Sequence, residues 1–338
     1  MLIGGQTWIF SNKPAILSTG VVGGPFEGNG LIANDFDKLY GDLWMGQDSY
    51  EKAQCKLIED AVEITLNKKG MTDDNVQFFI AGDLVNQLTP SSFAARTNQI
   101  PYIGIFGACS TAAEGLALGA FFVNYNGANY VLTGSSSHNA VSEKQYRYPT
   151  EYGSQKPPTA QWSTTASGFG LLGKADANQG KQPRITSATI GKINDLGLTD
   201  PFNMGAAMAP AAVDTITRHL QDMQLTPDYY DLIVTGDLAK VGRSIALELF
   251  EEQGVDISEK QFQDCGLMIY DPSQPVQAGA SGSGCSAAVL YGHLLKQMKQ
   301  EKYKRILFVA TGALLSPLSY QQKETIPCIA HAVAIEFL

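Results

Sequence analysis

Charge is scarce in this chain: Asp, Glu, Lys and Arg make up only 17% of 338 residues, and the formal net charge is -9. No block of Lys or Arg occurs, so the electrostatic footprint that nucleic-acid binding requires is missing. An anionic ligand therefore has to be met by a local positive site working against the overall field. Uninterrupted apolar runs are lacking too. The most apolar long stretch, Ile100 to Leu132, is broken by Glu114, Asn124, Asn126 and Asn129, so no bilayer span is expected. The N-terminal MLIGGQTWIF has no basic region followed by an apolar one, and no secretory signal is expected. The five cysteines, at 55, 109, 265, 285 and 328, include no C-x-x-C spacing, which points neither to a disulfide framework nor to a zinc site. A reducing compartment and a metal-free protein are the expectation. Glycine, by contrast, is plentiful at 34 copies, and 44% of residues are hydrophobic, as in a compact domain rich in tight turns.

An internal repeat organises what is there. Ile80-Ala-Gly-Asp-Leu84 recurs as Val234-Thr-Gly-Asp-Leu238. An amphipathic helix pattern precedes each copy: Ala53, Leu57, Ile58, Ala61 and Ile64 after a Ser49 N-cap, with Gly70 as a stop, and Val213, Ile216, Leu220 and Met223 after Pro210. A glycine turn opening a small-residue helix follows each copy, as Gly107-Ala-Cys-Ser-Thr-Ala112 and Gly282-Ser-Gly-Cys-Ser-Ala287. Each helix then leads into a strand, Asn129 to Gly134 and Arg305 to Gly312. Such alternation predicts parallel strands with right-handed crossovers, in two pseudo-symmetric halves, residues 1–180 and 181–338. Their glycine turns then meet at the strand carboxyl ends, where open α/β sheets bind ligands. Residues 135–162 interrupt the repeat, and their aromatic and proline content reads as an ordered, lid-like loop.

Cys109 is the first candidate site residue. At a helix start, backbone N–H groups and the helix dipole favour a thiolate, so it reads as a position for an activated nucleophile. The same amides, at Cys109 and Ser110, are equally suited to a carboxylate, and a free cysteine is also a common buried hydrophobe. Catalysis by a thiol needs a base or an oxyanion partner, and only four histidines are present. His138 and His331 are the two placed to face a pocket. His219 is expected to face solvent, and His293 to serve core or surface. In the loop, Lys144 and Arg147 lie three apart and suit a dianionic ligand. Gln161, in Thr159-Ala-Gln-Trp162, completes the candidate set.

The duplicated halves and the Gly107-Ala-Cys-Ser turn resemble the thiolase superfamily, in particular condensing enzymes of the ketoacyl synthase III type. The resemblance implies a five-layered αβαβα fold and usually a dimer. Three departures bear on activity. Condensing enzymes carry a His where this chain has Val234-Thr-Gly-Asp-Leu238, and an Asn where it has Ser283-Gly-Cys285. Thiolases also place a cysteine in the last strand's glycine turn, and Thr311-Gly-Ala-Leu314 has none. More narrowly, Trp44-Met-Gly-Gln47, Ser135-Ser-Ser-His-Asn139, Glu143-Lys-Gln-Tyr-Arg147, Pro149-Thr-Glu-Tyr-Gly153, Pro157-Pro-Thr-Ala-Gln-Trp162 and Ile329-Ala-His-Ala-Val333 are similar to the stage V sporulation AD family. That resemblance implies a non-catalytic protein of spore-forming bacteria. It would bind dipicolinic acid (pyridine-2,6-dicarboxylic acid) or its calcium chelate for uptake into the developing spore. It would sit peripherally at the forespore inner membrane, as a homodimer, with membrane proteins of the same operon and without a cofactor. The alternative is an acyl-transferring enzyme using Cys109.

Overall fold

The computed structural model describes residues 1–146, 156–176 and 180–338. In chain order the strands are β1 (Leu2–Ile3), β2 (Thr7–Ile9), β3 (Ala15–Gly23), β4 (Lys38–Leu39), β5 (Phe78–Asp83), β6 (Tyr102–Gly104), β7 (Tyr130–Ser137) and β8 (Trp162–Ser163). They continue as β9 (Ala166–Gly173), β10 (Pro183–Ile190), β11 (Leu232–Thr235), β12 (Phe262–Asp264), β13 (Ala280–Ser281), β14 (Arg305–Ala313) and β15 (Cys328–Phe337). The helices are α1 (Tyr50–Asn67), α2 (Thr89–Asn98), α3 (Thr111–Asn124), α4 (Asn139–Tyr146), α5 (Met204–Met223), α6 (Ala239–Glu252), α7 (Ser283–Ala288), α8 (Leu295–Lys299) and α9 (Pro317–Gln321). A π-helical turn, Val289–Leu294, joins α7 to α8.

The strand order β3-β9-β7-β5-β6 on one side is matched by β10-β15-β14-β11-β12 on the other. In each, the inner two pairings are antiparallel and the outer two parallel. The two arrays meet between β3 and β10, at the register pair Arg184 and Ala15. Helices α1 and α2 cover the outer face of the first array, and α5 and α6 that of the second. Helices α3 and α7 lie between the arrays, giving a layered α/β arrangement with helices inside and outside both arrays. Apolar periodicity explains the outer layer: Ala53, Leu57, Ile58 and Ala61 of α1 are all fully buried, each Leu or Ile contributing about 2 kcal/mol. Ser49 caps α1 by accepting the Lys52 N–H at 3.2 Å.

Three expectations are corrected. Helix α5 begins at Met204, so Pro210 lies inside it and not at its start. Close packing sets that start: a Cβ on Gly205 would stand 2.5 Å from the Leu238 carbonyl, and one on Gly242 would stand 2.4 Å from the Gly205 carbonyl. His219 is fully buried and does not face solvent. Its Nδ1 meets the Thr189 hydroxyl at 2.7 Å and its Nε2 the Tyr230 hydroxyl at 2.7 Å, a polar bridge inside the layer between α5 and the sheet. Ser135 to Ser137 are not loop but the buried end of β7. Their hydroxyls donate to the carbonyls of Ser283, Ala166 and Thr164, which lets a serine run sit in the core. Residues 139–146 that follow are helical, and 147–155 lie outside the described residues. Among the described residues no helix is long and apolar enough to cross a membrane.

Candidate functional site

The Cys109 turn is built by the chain leaving β6. Ala108 adopts a left-handed backbone, φ +51°, which reverses the chain sharply before α3 and is strained for a residue with a side chain. The turn is locked from within. Ser110 donates both its hydroxyl, at 2.7 Å, and its amide, at 3.0 Å, to the Gly107 carbonyl, while Thr111 bridges the Gly107 amide and the Ala108 carbonyl. It is also pressed against β14, where a Cβ on Gly312 would lie 2.1 Å from the Gly107 oxygen. Cys109 is thus fixed in place and only 9% exposed.

The second half brings its own elements to the same point. Asp237, just past β11, and Gly282, just before α7, face the Cys109 thiol, and Cys285 of α7 faces Asp237. The Asp237 backbone is held on both sides: its amide donates to the Thr311 hydroxyl at 3.2 Å, and its carbonyl accepts from Gln161 Nε2 at 2.6 Å. Tyr146, at the end of α4, lies close enough to interact electrostatically with Cys109, and its hydroxyl donates to the Leu84 carbonyl at 2.7 Å.

The electrostatics run against a nucleophile. Burial pushes the Cys109 thiol well above its usual range, and the neighbouring Asp237 carboxyl raises it further. The helix start that favours a thiolate is outweighed. Cys285 is raised likewise by burial and by Asp237. Burial also holds Asp237 far above the usual carboxylate range, against smaller lowering by the Cys109 and Cys285 thiols. Glu114, on α3 one turn past Cys109, is pushed up to about 7 by burial. The centre of the site is therefore desolvated, with thiols and a carboxyl that all hold their protons more tightly than usual.

The residues singled out in the sequence separate into two groups. Cys109 and Gln161 converge on Asp237, and Ser110 shapes the turn. The rest are engaged elsewhere. His138 donates from Nε2 to the Leu43 carbonyl at 2.9 Å, packs its ring on Tyr50, and is held down to about 4 by burial. His331 accepts the Gly191 N–H on Nδ1 at 3.2 Å and is also pushed down to about 4 by burial. Both imidazoles are neutral at pH 7. Lys144 pairs with Glu51 at 2.6 Å on the surface, and Arg147 lies outside the described residues. Among the described residues no group of three His, Cys, Asp or Glu side chains is arranged to hold a metal ion. Asp237, Cys285 and Tyr146 are site residues that sequence reasoning passed over. The signal for Asp237 was present in the repeated Gly-Asp-Leu, which reads there only as a strand end.

Fold and site together define a thiolase-type α/β protein that keeps a cysteine at the first glycine turn, with a buried aspartate from the second strand array beside it. Solved structures of that class match across the chain. The 3-oxoacyl-[acyl-carrier-protein] synthase III of Aquifex aeolicus is 13% identical with a TM-score of 0.58, covering 96% of this chain and 100% of its own. Cerulenin-bound OleA of Xanthomonas is 12% identical with a TM-score of 0.62, covering 98% and 100%. Human mitochondrial 3-ketoacyl-CoA thiolase is 12% identical with a TM-score of 0.60, covering 96% and 98%. At such identities the likeness is one of fold. The family is fixed by sequence: the model of Stage V sporulation protein AD matches residues 4–336. Stage V sporulation protein AD of Bacillus subtilis (strain 168) is 48% identical over 99% of this chain and 98% of that protein. The chain belongs to the stage V sporulation protein AD family.

Proposed function

We propose that the chain is a non-catalytic binding protein for dipicolinic acid, as free acid or calcium chelate, acting in its uptake into the developing spore. The observation that carries this reading is the Cys109 centre: a buried, protonated thiol faces an acid and no base. Acyl transfer through cysteine needs a thiolate and an oxyanion partner, and the imidazoles of His138, His219 and His331 are neutral and committed to other partners. A planar dicarboxylate would set one carboxylate against the Cys109–Ser110 turn and Gln161. The other would point toward α4, where Lys144 would supply the local positive charge that a chain of net charge -9 needs, with Arg147 kept from the sequence as a second candidate cation. His138 and His331 would flank the ligand only if the surrounding segments open. Calorimetric titration with dipicolinic acid tests the reading; no heat and no thermal shift at millimolar ligand would remove it.

The remaining assignments belong to the same proposal: a peripheral place at the forespore inner membrane, membrane proteins of the same operon as partners, and a homodimer. Strand β6 ends its array as an open edge, and Phe93 and Phe106 beside it are each 47% exposed, which supports pairing of two copies there. Light scattering of native protein and of a Phe106→Glu variant reads that pairing.

One observation favours an acyl-transferring enzyme instead. The strained Ala108 backbone preserves a sharp nucleophile turn that mere binding does not demand. Incubation with acyl-CoA followed by intact-mass measurement decides: an adduct on Cys109 supports the enzyme, and an unchanged mass supports binding alone.

A further inference from the structure

The two aspartates of the Gly-Asp-Leu repeat have different fates. Asp83 does a structural job. Its carboxyl accepts the Ser91 amide at 2.9 Å, the Ser91 hydroxyl at 2.5 Å and the Val85 amide at 2.7 Å, which anchors the start of α2. Asp237 does not do the corresponding job for α6. There Asp264 has taken it over, accepting the Leu238 amide at 2.9 Å, the Ala239 amide at 2.8 Å, the Gly266 amide at 2.9 Å and the Thr235 hydroxyl at 2.7 Å. The Asp237 carboxyl is left fully buried, and among the described residues neither of its oxygens has a hydrogen bond of ordinary geometry. The donors that face it are the Cys109 and Cys285 thiols and the Gly282 amide. A buried carboxyl that the fold does not use for capping is costly to keep, and here it faces the one cysteine at the nucleophile turn.

We infer that Asp237 is a positioning residue that disarms Cys109: its carboxyl takes the Cys109 S–H and keeps the sulfur from acting as a nucleophile. This rests on the binding reading above and explains it, because a pocket that holds its ligand reversibly must not be acylated. The groups that bear on the pair are Cys285 from α7, Cys328 from β15, Tyr146 from α4 and Asp264 from β12. None of them is a cation.

Alkylation of the native full-length protein by iodoacetamide tests the inference. The Cys109 sulfur displaces iodide, a C–S bond forms and the thiol proton passes to buffer. Labelling of the Cys109 peptide is followed by mass spectrometry between pH 7 and 10. Asp237→Asn, close in shape but unable to carry negative charge, is expected to speed labelling at pH 8.5 by about tenfold, as for a thiol whose proton affinity falls tenfold. Its pH profile is expected to move toward neutrality. Asp237→Ala is expected to do the same, and melting curves identify whichever variant remains folded. Equal labelling of native protein and the folded variants, including no labelling in any of them, overturns the inference, because burial alone then mutes the thiol. Dipicolinate titration of native protein is read separately. Faster labelling without any dipicolinate heat keeps the role of Asp237 and removes the ligand, whereas heat with unchanged labelling does the reverse.

Discussion

Replacing Glu27 with glutamine is expected to stabilise the protein at alkaline pH and to leave it almost unchanged in mild acid. Glu27 is fully buried between the two halves of the molecule. Its Oε1 accepts the Thr165 amide at 2.9 Å and the hydroxyl of Tyr270, while among the described residues Oε2 has no hydrogen-bond partner. Burial raises its pKa from 4.5 to about 7, against smaller lowering by Tyr270 and Thr165. A carboxyl whose folded pKa exceeds its unfolded value binds its proton more tightly when folded. The group therefore destabilises the fold progressively as pH climbs from 4.5 to about 7, and fully above that. At about 1.36 kcal/mol for each tenfold change in proton affinity, the penalty above pH 7 is about 3 kcal/mol. Glutamine keeps the acceptor for Thr165 and Tyr270 and cannot ionise. Urea unfolding of native protein and Glu27→Gln at half-unit steps from pH 4.5 to 8.5 reads the difference directly. The variant's advantage is expected to grow from near zero to about 3 kcal/mol, less the cost of an unpaired amide N–H. A difference that stays flat across that range refutes the reasoning.

His219→Ala removes two buried hydrogen bonds and leaves a void, an expected loss of about 3 kcal/mol by urea unfolding at pH 7.5. Because burial lowers the native His219 from 6.5 to about 4, its contribution is present above 6.5 and lost as pH falls toward 4, so the deficit is expected to shrink on acidification. Gly312→Ala drives a methyl group into the Gly107 carbonyl, with an expected cost of about 1–3 kcal/mol in melting experiments and weaker dipicolinate binding. A normal melt and unchanged binding would show that the turn yields easily. Lys144→Ala breaks an exposed pair with Glu51 and is expected to change stability by less than about 1 kcal/mol while weakening dipicolinate in calorimetry. An unchanged titration takes Lys144 out of the ligand set.

The sequence by itself determined the repeating part of the architecture. The face of Ala53, Leu57, Ile58 and Ala61, the Ser49 cap and the small-residue helices after each glycine turn are local patterns, and local patterns follow from helix and strand periodicity alone. The Cys109 turn was legible for the same reason: the glycines and the helix start are written in consecutive residues. Only the tertiary structure decided what the polar side chains do. Asp83 and Asp237 sit in identical tripeptides, yet Ser91 and Val85 supply donors to the first, while Asp264 takes the second one's donors from another strand. His219 reads as a surface residue until Thr189 and Tyr230 arrive from distant segments to bridge it. The proton affinity of Cys109 was undetermined in the same way. A helix start favours the thiolate, but desolvation and a carboxyl delivered by the other half reverse that preference, and both arise only when the two halves close over the turn.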